Sequence, residues 1–209
     1  MQNDMMKKVM LMMAVLTASL TAMAQHEEGD FLVQPKVGLN IATLSDADKT
    51  IGDLNFGIEA ELMLTDYFSL SAGAAVSNQG GKYDDSLYGS YTVDLDYVNV
   101  PVMANFYVLP GLSLKAGIQP SFRMKAKVKT DGSSYDMDQF YALLAGTGIE
   151  EDFKVKKFDL SIPVGIAYEY QNVVLEARYN WGVTKIMDND SFYNRVFQLT
   201  LGYKFDLDR

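Results

Sequence analysis

Residues 194–207, NRVFQLTLGYKFDL, limit the possible folds of this chain most strongly, because apolar side chains occupy every second position. One parity holds Phe197, Leu199, Leu201, Tyr203 and Phe205, and the other holds Gln198, Thr200, Gly202, Lys204 and Asp206. Successive side chains of a β-strand point to opposite faces of its sheet, so this pattern predicts a strand between two different surroundings. A single strand leaves its backbone hydrogen-bonding groups unpaired, so the rest of the chain has to supply neighbours.

Seven other segments have the same period of two and can supply these neighbours. We predict strands at residues 31–42, 54–64, 67–79, 91–108, 112–128, 158–170 and 173–185. The connections alternate between long and short, as in an up-and-down meander. The longest connection is residues 129–157, in which residues 137–144 are a candidate short helix.

Two irregularities are expected within these strands. The apolar parity changes within residues 91–108, which predicts a β-bulge near Tyr97 and Val98. Pro101, Pro120 and Pro163 also fall inside predicted strands, where each removes a hydrogen bond from the ladder. We expect bulges to accommodate them.

The polar parity of the strands carries both glycine and charge. Its glycines are Gly38, Gly57, Gly73, Gly117, Gly165, Gly182 and Gly202. Its charged side chains include Lys36, Glu59, Glu61, Lys115, Arg123, Lys125, Glu169, Glu176, Arg178 and Lys204. A soluble barrel also alternates, but its outer face gains nothing from glycine, whereas the crowded interior of an eight-stranded barrel needs glycine because it is barely wide enough for its own side chains. The sequence therefore predicts an all-β fold, an eight-stranded antiparallel up-and-down transmembrane β-barrel with lipid against its apolar face.

The ten charged side chains of the predicted interior form a candidate lumen network. Because both signs are present, the side chains can pair across the lumen. Burying an unpaired charge is costly, which favours a lumen filled by salt bridges. The alternative is a path for ions or small solutes.

The N-terminus has the pattern of a targeting segment. Lys7 and Lys8 precede an apolar run, and a small-x-small site ends at Ala24, before Gln25. We predict a cleaved signal peptide at residues 1–24, a polar leader at 25–30 and a barrel domain at 31–209. An uncleaved N-terminal anchor and a true start at Met6 are the alternatives. No later apolar run is long enough for a transmembrane helix, so a membrane-embedded chain has to form a closed barrel.

Composition excludes several kinds of chemistry. The chain has no cysteine, and its net charge of −9 argues against a broad nucleic-acid surface. Its single histidine, His26, falls in a leader that we expect to be flexible, which argues against Ser–His catalysis and against a transition-metal site. We therefore predict no enzymatic activity, no cofactor and no metal.

Three sequence blocks resemble a known family. They are YVNVPVMANFYVLPGLSLKAGIQPSF at 97–122, FDLSIPVGIAYEYQNVVLEARYNWGVTKI at 158–186 and NRVFQLTLGYKF at 194–205. The chain is similar to the Bacteroidetes-type outer-membrane β-barrel proteins, of the porin-family or PorT-like kind, which resemble OmpA and OmpX barrels in architecture. Its ending also resembles an outer-membrane assembly signal, with Thr200, Gly202, Phe205 and Leu207 at the expected offsets.

Together these features predict a structural or surface-interaction role in the Gram-negative outer membrane, with both termini periplasmic. A narrow small-solute porin is one alternative, and an accessory component of an outer-membrane secretion system, implied by one branch of the family, is another. The expected partners are outer-membrane lipids and lipopolysaccharide, the barrel assembly machinery, and extracellular or secretion-system proteins. We expect a monomer that binds no nucleic acid.

Overall fold

The computed structural model describes residues 26–44, 51–85, 89–130, 133–136, 156–185 and 193–207. Its strands are β1 (Phe31–Leu44), β2 (Ile51–Thr65), β3 (Phe68–Asp85), β4 (Gly89–Asn99), β5 (Val102–Leu109), β6 (Leu112–Thr130), β7 (Ser133–Asp136), β8 (Phe158–Tyr170), β9 (Val173–Gly182), β10 (Asn194–Tyr203) and β11 (Phe205–Asp206). In these ranges no helix is long and apolar enough to span a membrane.

The strands follow one another antiparallel around a closed wall. β4 and β5 both pair with β3 and with β6, and both registers continue unchanged across the break between β4 and β5, so together they form a single strand of the barrel. The wall continues through β8 and β9 to β10, and β10 and β11 both pair with β1. The result is a closed antiparallel barrel of eight strands, which confirms the predicted fold class.

Tight turns connect the strands at one end of the barrel, which we call the short-turn end. These turns lie at residues 66–67, 110–111 and 171–172. Gln171 and Asn172 have φ angles of 46° and 69°, the combination found in type I′ turns, whose twist matches that of the flanking strands. The opposite end, which we call the long-loop end, carries the other connections.

The outer face of the wall is apolar and the inner face is polar. On β2, Ile58 is 51% exposed, whereas the next residue, Glu59, is 1% exposed. On β10, Leu199 is 41% exposed and Thr200 is 3% exposed. This inverts the arrangement of a small water-soluble barrel, in which apolar side chains fill the interior. An apolar outer surface of this extent requires an apolar surrounding.

Glycine occurs where neighbouring strands approach closely. A Cβ atom added to Gly38 would lie 2.3 Å from the backbone oxygen of Leu199, and one added to Gly117 would lie 2.0 Å from that of Val102. Both oxygens belong to the adjacent strand of the wall. The close approach of paired strands therefore requires these two glycines. At Gly202 the predicted crowding among lumen side chains is the reason, because an added Cβ atom would lie 2.2 Å from the side-chain Nε2 of Gln34.

The predicted bulge lies on a different strand. Asp96 pairs with Lys125 and Tyr97 pairs with Arg123, so the extra residue is Met124 on β6. The prediction of an extra residue near Tyr97 and Val98 is therefore wrong, because β4 keeps one parity and its partner absorbs the insertion.

This bulge changes the direction of one predicted lumen residue. Arg123 is buried on the inner face, but past Met124 the parity of β6 reverses and Lys125 is exposed on the outer face. The prediction that Lys125 lines the lumen is therefore wrong, because one inserted residue exchanges the two faces of a strand.

Two of the three prolines interrupt a ladder, and none forms the expected bulge. Pro101 lies in the break between β4 and β5, and the ladder between β6 and β8 skips the position of Pro163. Pro120 stays in its ladder, and its carbonyl oxygen accepts a hydrogen bond from Val100 N at 2.9 Å. Pro101 and Pro163 therefore fall at interruptions of a ladder, and no register shift accompanies them.

Some predictions fall outside the described residues. These are the signal peptide, its cleavage site at Ala24 and Gln25, and the candidate helix at residues 137–144. Residues 133–136, which we expected to be loop, form β7 and pair with the end of β6.

We predict that Gly38→Ala destabilises the barrel by about 1–3 kcal/mol, because its methyl group has no room beside Leu199. The matched control is Gly52→Ala, since a Cβ at Gly52 meets only Asn40 O at 3.9 Å. The free energy of unfolding in detergent micelles measures both changes. Equal stability of the two variants would contradict the close approach seen at Gly38.

Candidate functional site: the charged interior of the barrel

Five charged side chains meet in the middle of the lumen and form what we call the central cluster: Lys36, Glu59, Lys115, Glu176 and Arg178. Lys115 Nζ lies 2.7 Å from Glu59 Oε1 and 3.2 Å from Glu176 Oε2. Arg178 Nε donates a hydrogen bond to Glu176 Oε1 at 2.5 Å, and Arg178 Nη2 lies 3.4 Å from Glu59 Oε2. Lys36 pairs with Glu59 and lies 3.6 Å from Glu176. Each of the two carboxylates therefore has three cationic neighbours.

The central cluster joins opposite sides of the wall. Glu59 lies on β2, Lys115 on β6 and Arg178 on β9, and each of the last two strands is three strands from β2 around the barrel. Glu59 is 1% exposed and Arg178 is 2% exposed. These contacts are possible because an eight-stranded barrel is only wide enough for facing side chains to meet.

A second group of charges lies nearer the short-turn end, and we call it the end cluster: Glu61, Tyr107, Glu169 and Lys204. Lys204 Nζ lies 3.0 Å from Glu61 Oε2 and 3.0 Å from Glu169 Oε2. Tyr107 donates its hydroxyl proton to Glu61 Oε1 at 2.5 Å and accepts a hydrogen bond from Lys204 at 2.8 Å. Lys204 thereby bridges two carboxylates from β2 and β8.

His26 belongs to this end of the barrel, although we expected it in a flexible leader. Its side chain is buried, and its Nε2 lies 2.8 Å from Glu169 Oε1. The expectation is wrong because the leader is anchored to the wall, with Gly29 N donating to Met63 O at 2.9 Å and Met63 N donating to Asp30 O at 3.0 Å.

A tight turn brings Asp30 towards His26. Asp30 N donates to Glu27 O at 3.1 Å, and Gly29 has a φ of 98°. A positive φ at the third position is typical of a type II turn and favours glycine there. The side-chain Oδ2 of Asp30 also accepts a hydrogen bond from Glu27 N at 2.8 Å, which fixes the carboxylate on the inner side of the turn.

Neutral polar groups line much of the lumen towards the long-loop end. Asn55 donates to Asn40 Oδ1 at 2.7 Å, and Gln198 donates to the same oxygen at 3.0 Å. Arg123 also lies at this end, where its Nε donates to the carbonyl oxygen of Lys156 at 3.3 Å. Arg123 is therefore on the inner face, as predicted from its parity, but separate from the central cluster.

The ten predicted network residues thus fall into four places. Five form the central cluster, Glu61, Glu169 and Lys204 belong to the end cluster, Arg123 lies towards the long-loop end, and Lys125 faces outward. The residues of the proposed assembly signal divide between the faces: Thr200 and Gly202 face inward, whereas Phe205 and Leu207 are exposed on the outer side.

Sequence reasoning missed two members of the interior, Tyr107 and His26. Asn105 of β5 pairs with Lys115 of β6, whose side chain points into the lumen. Tyr107 has the same parity as Asn105, so its inward direction follows from counting along β5. The usable signal for His26 was Gly29, because a glycine followed by Asp30 just before a strand indicates an ordered turn.

Three lysines of β6 face outward beyond the bulge: Lys125, Lys127 and Lys129. Their cross-strand neighbours include Asp96 and Asp94. Lys129 forms a salt bridge with Asp94, and this hydrogen bond raises the pKa of the Lys129 ammonium group. At the long-loop end, the outer face of β4 and β6 is therefore charged.

A closed barrel with an apolar outer wall and a charged interior defines the class of membrane-embedded β-barrels. Residues 23–188, more than half of the chain, match the family described as "Outer membrane protein beta-barrel domain". The chain belongs to this family of outer-membrane barrels. A search of curated proteins gave no match.

Solved structures show the same fold. One is Ail, the attachment invasion locus protein of Yersinia pestis, solved in complex with the heparin analogue sucrose octasulfate. It is 16% identical to this chain with a TM-score of 0.51, and the match covers 85% of this chain and 99% of Ail. Neisserial surface protein A is 17% identical with a TM-score of 0.50, covering 86% of this chain and 100% of that one. At this level of identity the similarity establishes the architecture.

We predict that Arg178→Met lowers the free energy of unfolding by about 3–5 kcal/mol, because Glu59 and Glu176 lose a buried cationic partner. Lys125→Met removes the same charge from the outer wall and serves as the control, for which we expect a much smaller change. Adding Glu176→Gln to Arg178→Met should restore part of the loss. Denaturant unfolding in micelles measures all three, and equal effects of Arg178→Met and Lys125→Met would contradict the paired interior.

Proposed function

We propose that this chain is a non-enzymatic outer-membrane barrel whose lumen is closed by its own side chains and which acts in the cell envelope through its outer wall and its loops. The observation that supports this proposal is the central cluster. Its five side chains extend from β1, β2, β6 and β9 and meet at ion-pair distances, which leaves the charged groups satisfied by each other instead of by a solute.

The arrangement of charges argues against a catalytic role. The one histidine of the chain is held by Glu169 at the short-turn end, and each central carboxylate is surrounded by cations. A general base needs a free lone pair within reach of a substrate proton. Carboxylates that each bind three cations serve poorly as bases, so the interior fits structural pairing better than acid–base chemistry.

We place the short-turn end, with both termini, in the periplasm, and the long-loop end outside the cell. This orientation follows the general arrangement of outer-membrane barrels, in which turns are periplasmic and longer loops are external. It also agrees with export by a signal peptide that is cleaved between Ala24 and Gln25. The mass of the membrane-inserted protein, measured by mass spectrometry, would show this cleavage.

The proposed lipid partner is a phosphorylated lipid of the outer leaflet. Lys125 lines a groove of about 360 Å³ on the outer wall, and Lys127 and Lys129 follow it along β6 towards the long-loop end. The groove is lined by the apolar side chains of Leu54, Phe56, Val76 and Met124, with Lys125 and Asp96 also in its lining. An acyl chain fits its apolar part and a phosphate group suits the lysines above it.

We predict that the wild-type barrel gives no discrete current steps in planar bilayers. The double variant Lys115→Ser with Glu176→Ser removes one buried pair without changing the net charge of the central cluster, so it should open the lumen and conduct. The control is Leu114→Ala with Leu175→Ala, which alters the outward positions next to these residues on the same strands.

Wild-type steps as large as those of the opened variant would contradict a closed lumen and support the narrow-porin alternative. Co-purification with secretion proteins, together with a secretion defect on deletion, would support the PorT-like alternative.

We predict that Lys125→Gln with Lys127→Gln weakens binding of lipid A by about tenfold or more, because each surface lysine near a phosphate contributes about 1 kcal/mol. The matched control exchanges both lysines for arginine, which keeps the charge. Native mass spectrometry in detergent compares the bound fractions, with lipid A lacking phosphate as a second control. Equal binding by the glutamine and arginine variants would refute the proposed contact.

A further inference from the structure

We propose that His26, Asp30 and Asp206 bind a zinc ion at the short-turn end of the barrel, where the leader meets the last strand. This site is separate from the central cluster and does not depend on whether the lumen conducts. Each of the three residues offers one donor atom, and the three donor atoms lie within 4.8 Å of one another.

The separation of the donors suits a metal ion better than direct hydrogen bonds. His26 Nδ1 lies 4.0 Å from Asp30 Oδ2, which is too long for a hydrogen bond. Zinc bonds to imidazole nitrogen and carboxylate oxygen are about 2.0–2.2 Å long. An ion placed between the two atoms therefore needs only a small inward movement of the side chains, and a water molecule can supply a fourth ligand.

The direction of the His26 ring provides a second, independent observation. The His26 side chain is 6% exposed, and its Nε2 lies 2.8 Å from Glu169 Oε1. An ionised carboxylate can only accept a hydrogen bond, so Nε2 carries the proton and donates it. In the neutral ring Nδ1 then has a free lone pair, and this atom is the one that faces Asp30.

This arrangement reproduces the carboxylate–histidine–metal contact of zinc sites. In such sites the second ring nitrogen of the ligand donates to a carboxylate, which fixes the ring and increases its basicity. Glu169 has this role here as a positioning residue. It is itself held by Lys204 at 3.0 Å, so the orientation of His26 rests on the end cluster.

The donor set selects the kind of ion. One imidazole nitrogen with two carboxylate oxygens suits zinc, whereas calcium and magnesium prefer oxygen ligands throughout. The alternative to a bound metal is direct pairing of the His26 ring with Glu169 and Asp30. Zinc titration distinguishes a bound metal from this pairing.

A metal at this position would connect the two ends of the folded chain. His26 and Asp30 belong to the leader, and Asp206 lies on β11, where it pairs with Leu32 of β1. Zinc bound to both segments would hold the seam of the barrel closed at the short-turn end. Binding should therefore raise resistance to unfolding, because a ligand that binds only the folded state stabilises it.

The experiment uses the full mature barrel refolded in detergent, without a polyhistidine tag, since such a tag would bind zinc itself. Zinc is titrated by calorimetry, and the denaturant midpoint is measured with zinc and with chelator. The variants are His26→Gln and Asp206→Asn, and Glu28→Gln, an exposed carboxylate of the same leader, is the control. Heat-dependent gel mobility shows that each variant is folded, and Asp30→Asn replaces any variant that is not.

We expect one zinc ion per chain, an affinity at least about tenfold lower in His26→Gln and in Asp206→Asn, and no change in Glu28→Gln. Zinc should raise the midpoint in the wild type and in Glu28→Gln, and by less in His26→Gln and Asp206→Asn. Because Asp206 is far from the leader in sequence, its effect requires the folded site. Absence of zinc binding in the wild type would leave His26 as an ion-pair partner only. Unchanged binding in Asp206→Asn would mean that the leader alone holds the ion. Either result overturns the proposal.

Discussion

The structure depends on one constraint, that every backbone N–H and C=O group of a wall surrounded by apolar groups must find its partner within the wall. A sheet with free edges cannot meet this condition, so β1 has to pair with β10 and β11. Closure at eight strands makes the lumen narrow, and the alternation of each strand directs half of its side chains into it. The charges of the interior meet because no wider space separates them.

The two interior clusters complement each other in charge. The central cluster has three cations and two carboxylates, whereas Glu61 and Glu169 of the end cluster share the single cation Lys204. Each cluster alone therefore carries one charge in excess, of opposite sign, and the two together are neutral. A single substitution in either cluster disturbs this balance, while exchange of one cation and one carboxylate together preserves it.

The alternation of side chains was sufficient to predict eight strands and a closed barrel, because every segment shows a period of two, although the apolar parity changes within residues 91–108. It also predicted the inward direction of most charged residues, including Glu59 and Arg178. It failed at Lys125, because one inserted residue at Met124 reverses the faces of a strand and leaves no clear trace in composition. The distances between partners, such as Lys115 and Glu59, depend on the stagger of strands across the lumen, which local sequence does not encode. His26 was misjudged because its partner, Glu169, lies far along the chain.

The seam between β1 and β10 has a kinetic consequence. The strands that close the wall are the first and the last of the barrel, so the seam can form only when the whole chain is present. Closing such a long loop costs chain entropy before any contact compensates for it, and topologies rich in distant contacts fold slowly. During that delay two strand edges remain open, with backbone groups that a strand of another protein can pair with. The same edges expose the nascent protein to aggregation until the seam closes.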